Sequence, residues 1–446
     1  MNASRSAAPP DLAQDEAVRF AADLIRIDTT NRGGGQARER PAAEYVAREL
    51  ADAGLDPVLL ERTPGRGNVV ARIAGRDPAR PALLLHGHLD VVPAEPSEWA
   101  VHPFSGEVRD EVLWGRGAVD MKNAVAVMVA VARDLARTGR APDRDVVLAF
   151  TADEEDSAAD GAAWLVAEHA GLFEGCTEAV GESGAFTFHA APGVRLYPLG
   201  SAERGTAWLK LTARGTAGHG SRPNRDNAVT ALAAAVTRIG EHTWPVRLIP
   251  TVRAALAGMA EALGTGTGEI HGEADLAGLL DRLGPAARLA VPVLRNSSNP
   301  TMLAAGYKVN VIPGEAAAWV DGRVLPGCGE EFEAVMDELT GPDVTWEYYH
   351  QEIPLEAPLG TPLVTAMTDA LLAEDPGSHV VPYCMAGGTD AKHFSRLGLV
   401  GYGFTPLALP PGYDYHAMFH GVDERVPLSA LRFGVRVMRR LLEGVN

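Results

Sequence analysis

The sequence predicts an α/β protein: a three-layer domain on a mainly parallel sheet, interrupted by an α+β insertion. Three observations carry this reading. Short apolar runs at 68–73, 82–85 and 146–150 alternate with helical stretches, the order that lays helices on both faces of a parallel sheet. Around Glu203 the texture changes to period-two alternation, Thr206-Ala-Trp-Leu-Lys-Leu-Thr-Ala213, the pattern of a half-exposed strand. A chain of 446 residues also has enough apolar material for two cores. The predicted organisation is one domain built from 1–202 and 355–446, with an insertion over 203–354.

Each element follows in order. Residues 15–27 and 41–53 have the spacing of amphipathic helices, and helices are also expected at 124–136 and 158–168. The insertion should hold helices at 227–239 and 273–283 and strands at 309–312, 316–323 and 344–350. Between Trp244 and Asn299 it carries an additional segment rich in Ala, Gly and Leu. Helices at 362–373 and 428–443 return to the first domain. Residues 1–14 contain Pro9-Pro10 and no apolar stretch, so they read as a disordered lead-in rather than a signal. No apolar run reaches membrane-spanning length.

The formal net charge of -18 argues against nucleic acid and anionic membranes as partners. The three cysteines, Cys176, Cys328 and Cys384, lie far apart without paired spacing. That suits a reducing compartment, and the expected location is the cytoplasm.

The chemistry gathers where apolar runs end. Leu83-Leu-Leu-His-Gly-His-Leu-Asp-Val-Val-Pro93 places His88 and Asp90 at a strand's C-terminal end, where α/β proteins put metal ligands and catalytic groups. A histidine with a carboxylate two residues on fits a ligand whose second ring nitrogen is held by an acid. Gly115-Arg-Gly-Ala-Val-Asp120 delivers an acid to a helix start, Thr151-Ala-Asp-Glu-Glu155 follows a strand, and Gly181-Glu182 follows a short apolar pair. His420 lies in a loop before the last helix. Clustered carboxylates repel one another, and two divalent cations would resolve the conflict. Asp120, Glu155 and Glu182 supply three negative charges, with His88 and His420 as nitrogen donors. Mixed histidine and carboxylate ligation without thiolate suits catalytic zinc and would accept cobalt or manganese. Glu154 is then left over as a proton shuttle. Adjacent strand residues face opposite ways, so Glu154 and Glu155 can share a side only if the chain leaves the strand there.

These motifs, His86-Gly-His-Leu-Asp-Val-Val-Pro93, Gly115-Arg-Gly-Ala-Val-Asp-Met-Lys122 and Ala152-Asp-Glu-Glu155, resemble those of the co-catalytic di-zinc hydrolases. That family includes succinyl-diaminopimelate desuccinylase, acetylornithine deacetylase, aminoacylase-1, glutamate carboxypeptidase and carboxypeptidase S. The resemblance runs from about residue 20 to the last helix. It implies that His88 and Glu182 bind one zinc, that Glu155 and His420 bind the other, and that Asp120 bridges them. It further implies that Asp90 orients His88, that Glu154 is the general base, and that the Asp120–Met121 peptide is cis. The insertion becomes a lid or dimerisation domain, with a homodimer formed through it. In the same family a histidine at the place of His219 reaches a neighbouring subunit's site and stabilises the oxyanion. Residues at the places of Asn310 and Arg323 bind the substrate's carboxylate, a task that suits a planar guanidinium. Gly387-Gly388-Thr389 resembles the family's substrate-contacting loop.

Other tempting residues are set aside. His86 is expected to pack at the strand end, and His102, His189, His393 and His416 lack a partner pattern. Gly33-Gly34-Gly35 lacks the residues of a phosphate loop. The expected function is zinc-dependent hydrolysis, with two zinc ions per chain, of an amide next to a free carboxylate. A small peptide would be the substrate of a carboxypeptidase or dipeptidase; the alternative is an N-acyl-amino-acid deacylase. A binding protein that merely retains the metals is a more distant alternative, since it would have no use for Glu154.

Overall fold

The computed structural model describes residues 11–444, and the chain divides into two compact units. Among the described residues the first comprises 11–200, 358–381 and 389–444, and the second 201–357 and 382–388. The sequence reading put the joins at 202/203 and 354/355 and did not foresee the transfer of 382–388. That transfer has a local cause: the Arg204 N–H donates to the Met385 carbonyl at 3.1 Å, and its guanidinium Nε donates to the Ala386 carbonyl at 3.2 Å.

In the first unit the strands run in the order Val58–Glu61, Gly67–Ile73, Val146–Thr151, Ala82–His88, Cys176–Gly181 and Val400–Gly403. The last four are mutually parallel, and the first two join antiparallel. Central parallel strands are covered on both faces and therefore read as continuous apolar runs. The strand Val146–Thr151 is buried at every position. On one face Leu84, Val147 and Ala149 pack with Trp164, Leu165 and Phe394. The helices Leu12–Arg26, Lys122–Thr138 and Leu428–Glu443 pack on one another as a second layer, with Lys122–Thr138 against the Ala82–His88 strand. Leu84 is fully buried, which contributes about 1.5–3 kcal/mol.

Two expectations are corrected here. The helix expected at 158–168 begins at Ala162, because Ala158 has φ 53° and its neighbours form a loop around Asp153. The expected lead-in over 1–14 lies outside the described residues up to Pro10, but Leu12–Gln14 already form a helical turn. Asp11 anchors that turn, accepting from Gln14 and pairing with Arg439.

The second unit holds a four-stranded antiparallel sheet in the order Ser297–Ala305, Glu315–Val324, Gly205–Arg214 and Val344–Gln351. Ala228–Glu241 and Gly329–Thr340 pack against it. Trp244 stacks on Phe332 at 5.0 Å and donates to Ser298. The additional segment forms two helices, Pro250–Ala262 and Glu273–Leu283, the first of which sequence reasoning missed. It also missed the strand Ser297–Ala305, whose Ser-Ser-Asn-Pro start has turn composition; eight paired residues of its antiparallel neighbour override that local preference. The strand expected at 309–312 shrinks to Val311–Ile312. All three cysteines are buried and unpaired, and no helix among the described residues is long and apolar enough to cross a membrane.

Candidate metal centre

The parallel strands carry their acids and histidines to one end. His88 closes the strand Ala82–His88, and Glu182 follows the strand Cys176–Gly181 directly beside it. His88 Nε2 lies 3.0 Å from Asp120 Oδ1 and 3.3 Å from Glu182 Oε2. His420 Nε2 lies 3.2 Å from Asp120 Oδ2 and 3.1 Å from Glu155 Oε2. Each Asp120 oxygen thus faces a different histidine. Two overlapping groups, His88–Asp120–Glu155 and His88–Glu154–Glu182, bring their donor atoms within 4.8 Å of one another.

The Asp120 loop is held from a distance of sequence. The buried Glu424 carboxylate accepts from the backbone N–H groups of Gly117, Val119 and Asp120 and from Arg116 Nη1 at 2.8 Å. Gly117 adopts φ 91°, and a Cβ there would press on the Lys122 side chain. Lys122 is itself buried and donates to the carbonyls of Leu24 and Ile27. The Asp120–Met121 peptide is cis. Phe186, just after Glu182, stacks on Tyr415 at 4.5 Å and so ties the Glu182 loop to the one carrying His420.

The strand before the paired glutamates ends at Thr151, and Asp153 takes φ 67°. This is the departure from the strand that a shared side for Glu154 and Glu155 requires. Asp90 then fixes both: its Oδ1 accepts from the Glu154 N–H at 3.2 Å and its Oδ2 from the Glu155 N–H at 3.1 Å. Asn31 donates to the same carboxylate at 2.9 Å. His88 Nδ1 sits 2.9 Å from the main-chain carbonyl of Asp90 and 3.6 Å from its carboxylate. A carbonyl only accepts, so the proton on Nδ1 is fixed there and Nε2 is the ring atom presented to Asp120 and Glu182. Asp90 therefore orients His88 through its backbone, while its carboxylate serves the two glutamates.

The electrostatics are those of carboxylates crowded together away from water. Burial raises Glu154 well above the usual carboxylate range. Burial also lifts Glu182 to about 8, with Asp120 and Glu155 adding to it, and Glu155 is raised for the same reasons. Asp120 and Glu155 push His420 up to about 10. Burial works against a charged His88, but the carboxylates of Asp120, Asp90 and Glu182 outweigh it and raise the ring. Glu155 Oε1 is buried without a hydrogen-bond partner. An orphaned carboxylate oxygen among nitrogen and oxygen donors fits divalent metal ions.

The other predicted residues fall elsewhere. His86 is buried, packs on Phe394 at 5.0 Å and is pushed down to about 3 by burial, as a core histidine is. His219 is exposed in the second unit, where its strand pairs with Val311 and Gly220 donates to the Asn310 carbonyl. Arg323 in that unit holds Asp321 through Nε at 2.7 Å and Nη2 at 3.2 Å. Gly387 and Gly388 are half-buried after the strand His379–Met385, and Thr389 Oγ1 accepts from the Ala391 N–H. Sequence reasoning missed Asn31, Arg66 and Glu424. Only Glu424 had a signal, an acid four residues after His420 in the same loop motif.

This fold and donor set define a metal-dependent hydrolase of amide bonds. Residues 84–444 match Peptidase family M20/M25/M40, and the chain belongs to that family. It is 25% identical to the N-fatty-acyl-amino acid synthase/hydrolase PM20D1 of Xenopus tropicalis over 455 positions, 96% of this chain and 85% of the relative. It is 37% identical to succinyl-diaminopimelate desuccinylase of Cereibacter sphaeroides over 238 positions, covering 50% of this chain and only 56% of that relative. Among solved structures, the M20 family metallo-carboxypeptidase Sso-CP2 of Sulfolobus solfataricus superposes with TM-score 0.69 at 17% identity, covering 96% of this chain and 99% of the other. The di-peptidase Dug1p of Saccharomyces cerevisiae gives 0.68 at 16% identity, covering 97% and 96%. At such identities the likeness establishes the fold.

Proposed function

We propose that the chain hydrolyses an amide bond adjoining a free carboxylate, using two zinc ions per chain. The observation that carries this reading is the Asp90 clamp on the Glu154 and Glu155 N–H groups, with the Glu154 carboxylate grouped with His88 and Glu182 rather than with Asp120. His88 and Glu182 would hold one ion, His420 and Glu155 the other, with Asp120 between. When bound, the ions supply carbonyl polarisation and a more acidic water. Glu154, half-buried beside His88 and Glu182, takes the proton from water and hands it to the leaving amine.

Asn310 and Arg323 would receive the substrate carboxylate, which requires Arg323 to exchange its bonds to Asp321 for bonds to the ligand. Gly387, Gly388 and Thr389 would line the approach. Ser221 donates its N–H to His219 Nδ1 at 3.2 Å, so the neutral ring carries its proton on Nε2, ready to donate to an oxyanion. A homodimer through the second unit would complete each site in trans. The unpaired edge strand Ser297–Ala305 supports it, with Met302 and Leu303 exposed on it and Tyr307 and Val309 exposed just beyond. The unpaired buried thiols support a cytoplasmic setting.

Within this chemistry exopeptidase action on a small peptide is the first reading, because nothing in the site selects a particular acyl group. Deacylation of an N-acyl amino acid is the second, favoured by the near-full-length likeness to an N-fatty-acyl-amino acid synthase/hydrolase. A panel of dipeptides and N-acyl amino acids, with zinc added, separates the two. Glu154→Gln should lower turnover on the preferred substrate by about two orders of magnitude with metal content unchanged. Loss of a zinc ion in that variant would show that the roles of Glu154 and Glu155 are exchanged.

A further inference from the structure

Below the glutamate pair lies a buried charge network whose centre, Arg66 with Glu39, lies outside the ligand motifs. Arg66 is 1% exposed, Glu39 0% and Asp153 2%. Arg66 forks onto Glu39 with two bonds of 2.7 Å and places Nη2 2.7 Å from Asp153 Oδ1. Asn31 joins that oxygen, at 3.1 Å, to the Asp90 carboxylate. Asp153 Oδ2 accepts from Ser157 Oγ and from the Asp160 N–H. One step back, Asn68 Oδ1 accepts from the Ala152 N–H at 2.9 Å. Four consecutive residues, 152–155, are thus each held by a buried group.

The critical one is Asp153. Its φ of 67° is a conformation that L-residues rarely adopt and that must be over-determined by the surroundings. This backbone reversal separates Glu154 and Glu155 from the strand alternation that would otherwise aim them at opposite faces. The Arg66 guanidinium, itself anchored by Glu39, is the charged member of the set of groups, with Asn31, Ser157 and the Asp160 N–H, that over-determines it.

We infer that Arg66 is a positioning residue for Glu154 and Glu155, acting through Asp153 and, by way of Asn31, Asp90. The inference rests on the roles proposed above for the two glutamates. Arg66→Lys keeps the charge and loses the fork. It should lower kcat per folded, metal-loaded molecule by about tenfold to a hundredfold with KM within about twofold, because the reacting groups are misplaced while substrate contacts are untouched. Asp153→Asn is the second variant: asparagine tolerates positive φ, removes the charge that Arg66 grips and replaces one acceptor oxygen with an NH2, so one end of the side chain also loses its acceptor. It should shift kcat in the same direction.

A measurement independent of activity accompanies both. In metal-free protein, hydrogen exchange of the Glu154 and Glu155 amides, which bond to Asp90, should accelerate about tenfold or more. Exchange in the helix Lys122–Thr138 should stay as in the wild type. Wild-type kcat with unchanged exchange at 154 and 155 would overturn the inference. So would acceleration spread evenly over the chain, which marks a role in stability alone. If the wild type cleaves none of the amides tested, the proposed function fails, and the exchange arm still decides the role of Arg66.

Discussion

Glu424→Gln is the substitution whose cost can be worked most directly. The carboxylate serves four donors: the backbone N–H groups of Gly117, Val119 and Asp120, and Arg116 Nη1. Glutamine keeps one acceptor oxygen, which can take the pair at either end. Its NH2 then faces the other pair, leaving two buried donors without an acceptor. Each such donor costs about 1–3 kcal/mol, so the variant should lose roughly 2–6 kcal/mol. Against a typical total of about 5–15 kcal/mol, the loss is a large fraction of the stability, and the variant should be visibly weakened. The same change frees the backbone that aims Asp120, so zinc affinity should fall by about tenfold to a hundredfold. Urea denaturation of the metal-free protein reads the first effect and calorimetric zinc titration the second. A variant with the wild-type urea midpoint and the wild-type zinc affinity would refute the clamp.

Chelation should abolish activity, zinc or cobalt should restore it, and elemental analysis should find about two ions per chain; full activity in verified metal-free protein would reject the metal assignment. His219→Ala should depress turnover while sparing zinc binding, and mixing it with Glu154→Gln should regenerate activity as subunits exchange, since one site of the mixed dimer carries neither lesion. Exchange confirmed by mass spectrometry without recovered activity would exclude completion in trans. Burial opposes ionisation of Glu374, but its bonds to Arg436 and Arg440 prevail and hold it below its ordinary value of 4.5. A lowered folded-state value stabilises above that pH and is lost as pH falls below it, so Glu374→Gln should lower Tm at pH 7 and differ less from the wild type at pH 3.5. Phe332→Ala removes a fully buried ring stacked on Trp244 and should cost about 3–5 kcal/mol in chemical denaturation.

Much of the site is legible in the sequence because its residues follow apolar strand runs. A buried parallel strand announces itself locally, and the polar residue after it emerges at a predictable end. Thus His88, Glu154, Glu155 and Glu182 could be named from strand ends, as could the need for the chain to leave its strand before Glu154, whereas Asp120 was read from a glycine-rich turn at a helix start and His420 from a loop before the last helix. The fold class followed from the same local periodicities. Where composition was ambiguous, as in Ser297–Ala305, only the pairing partner decided that a strand forms.

What only the tertiary structure decided is the support beneath these residues. Glu424 reaches the Asp120 N–H across 304 residues, and Arg66 reaches Asp153 across 87. Neither distance leaves a periodic trace, because the partners meet only after the sheet order has set which loops are neighbours. The division of labour at Asp90, backbone to His88 and carboxylate to the glutamate amides, is likewise invisible in a His-x-Asp motif. Motif spacing determines which groups arrive at the strand ends. Hydrogen-bond geometry among distant loops determines which way they point.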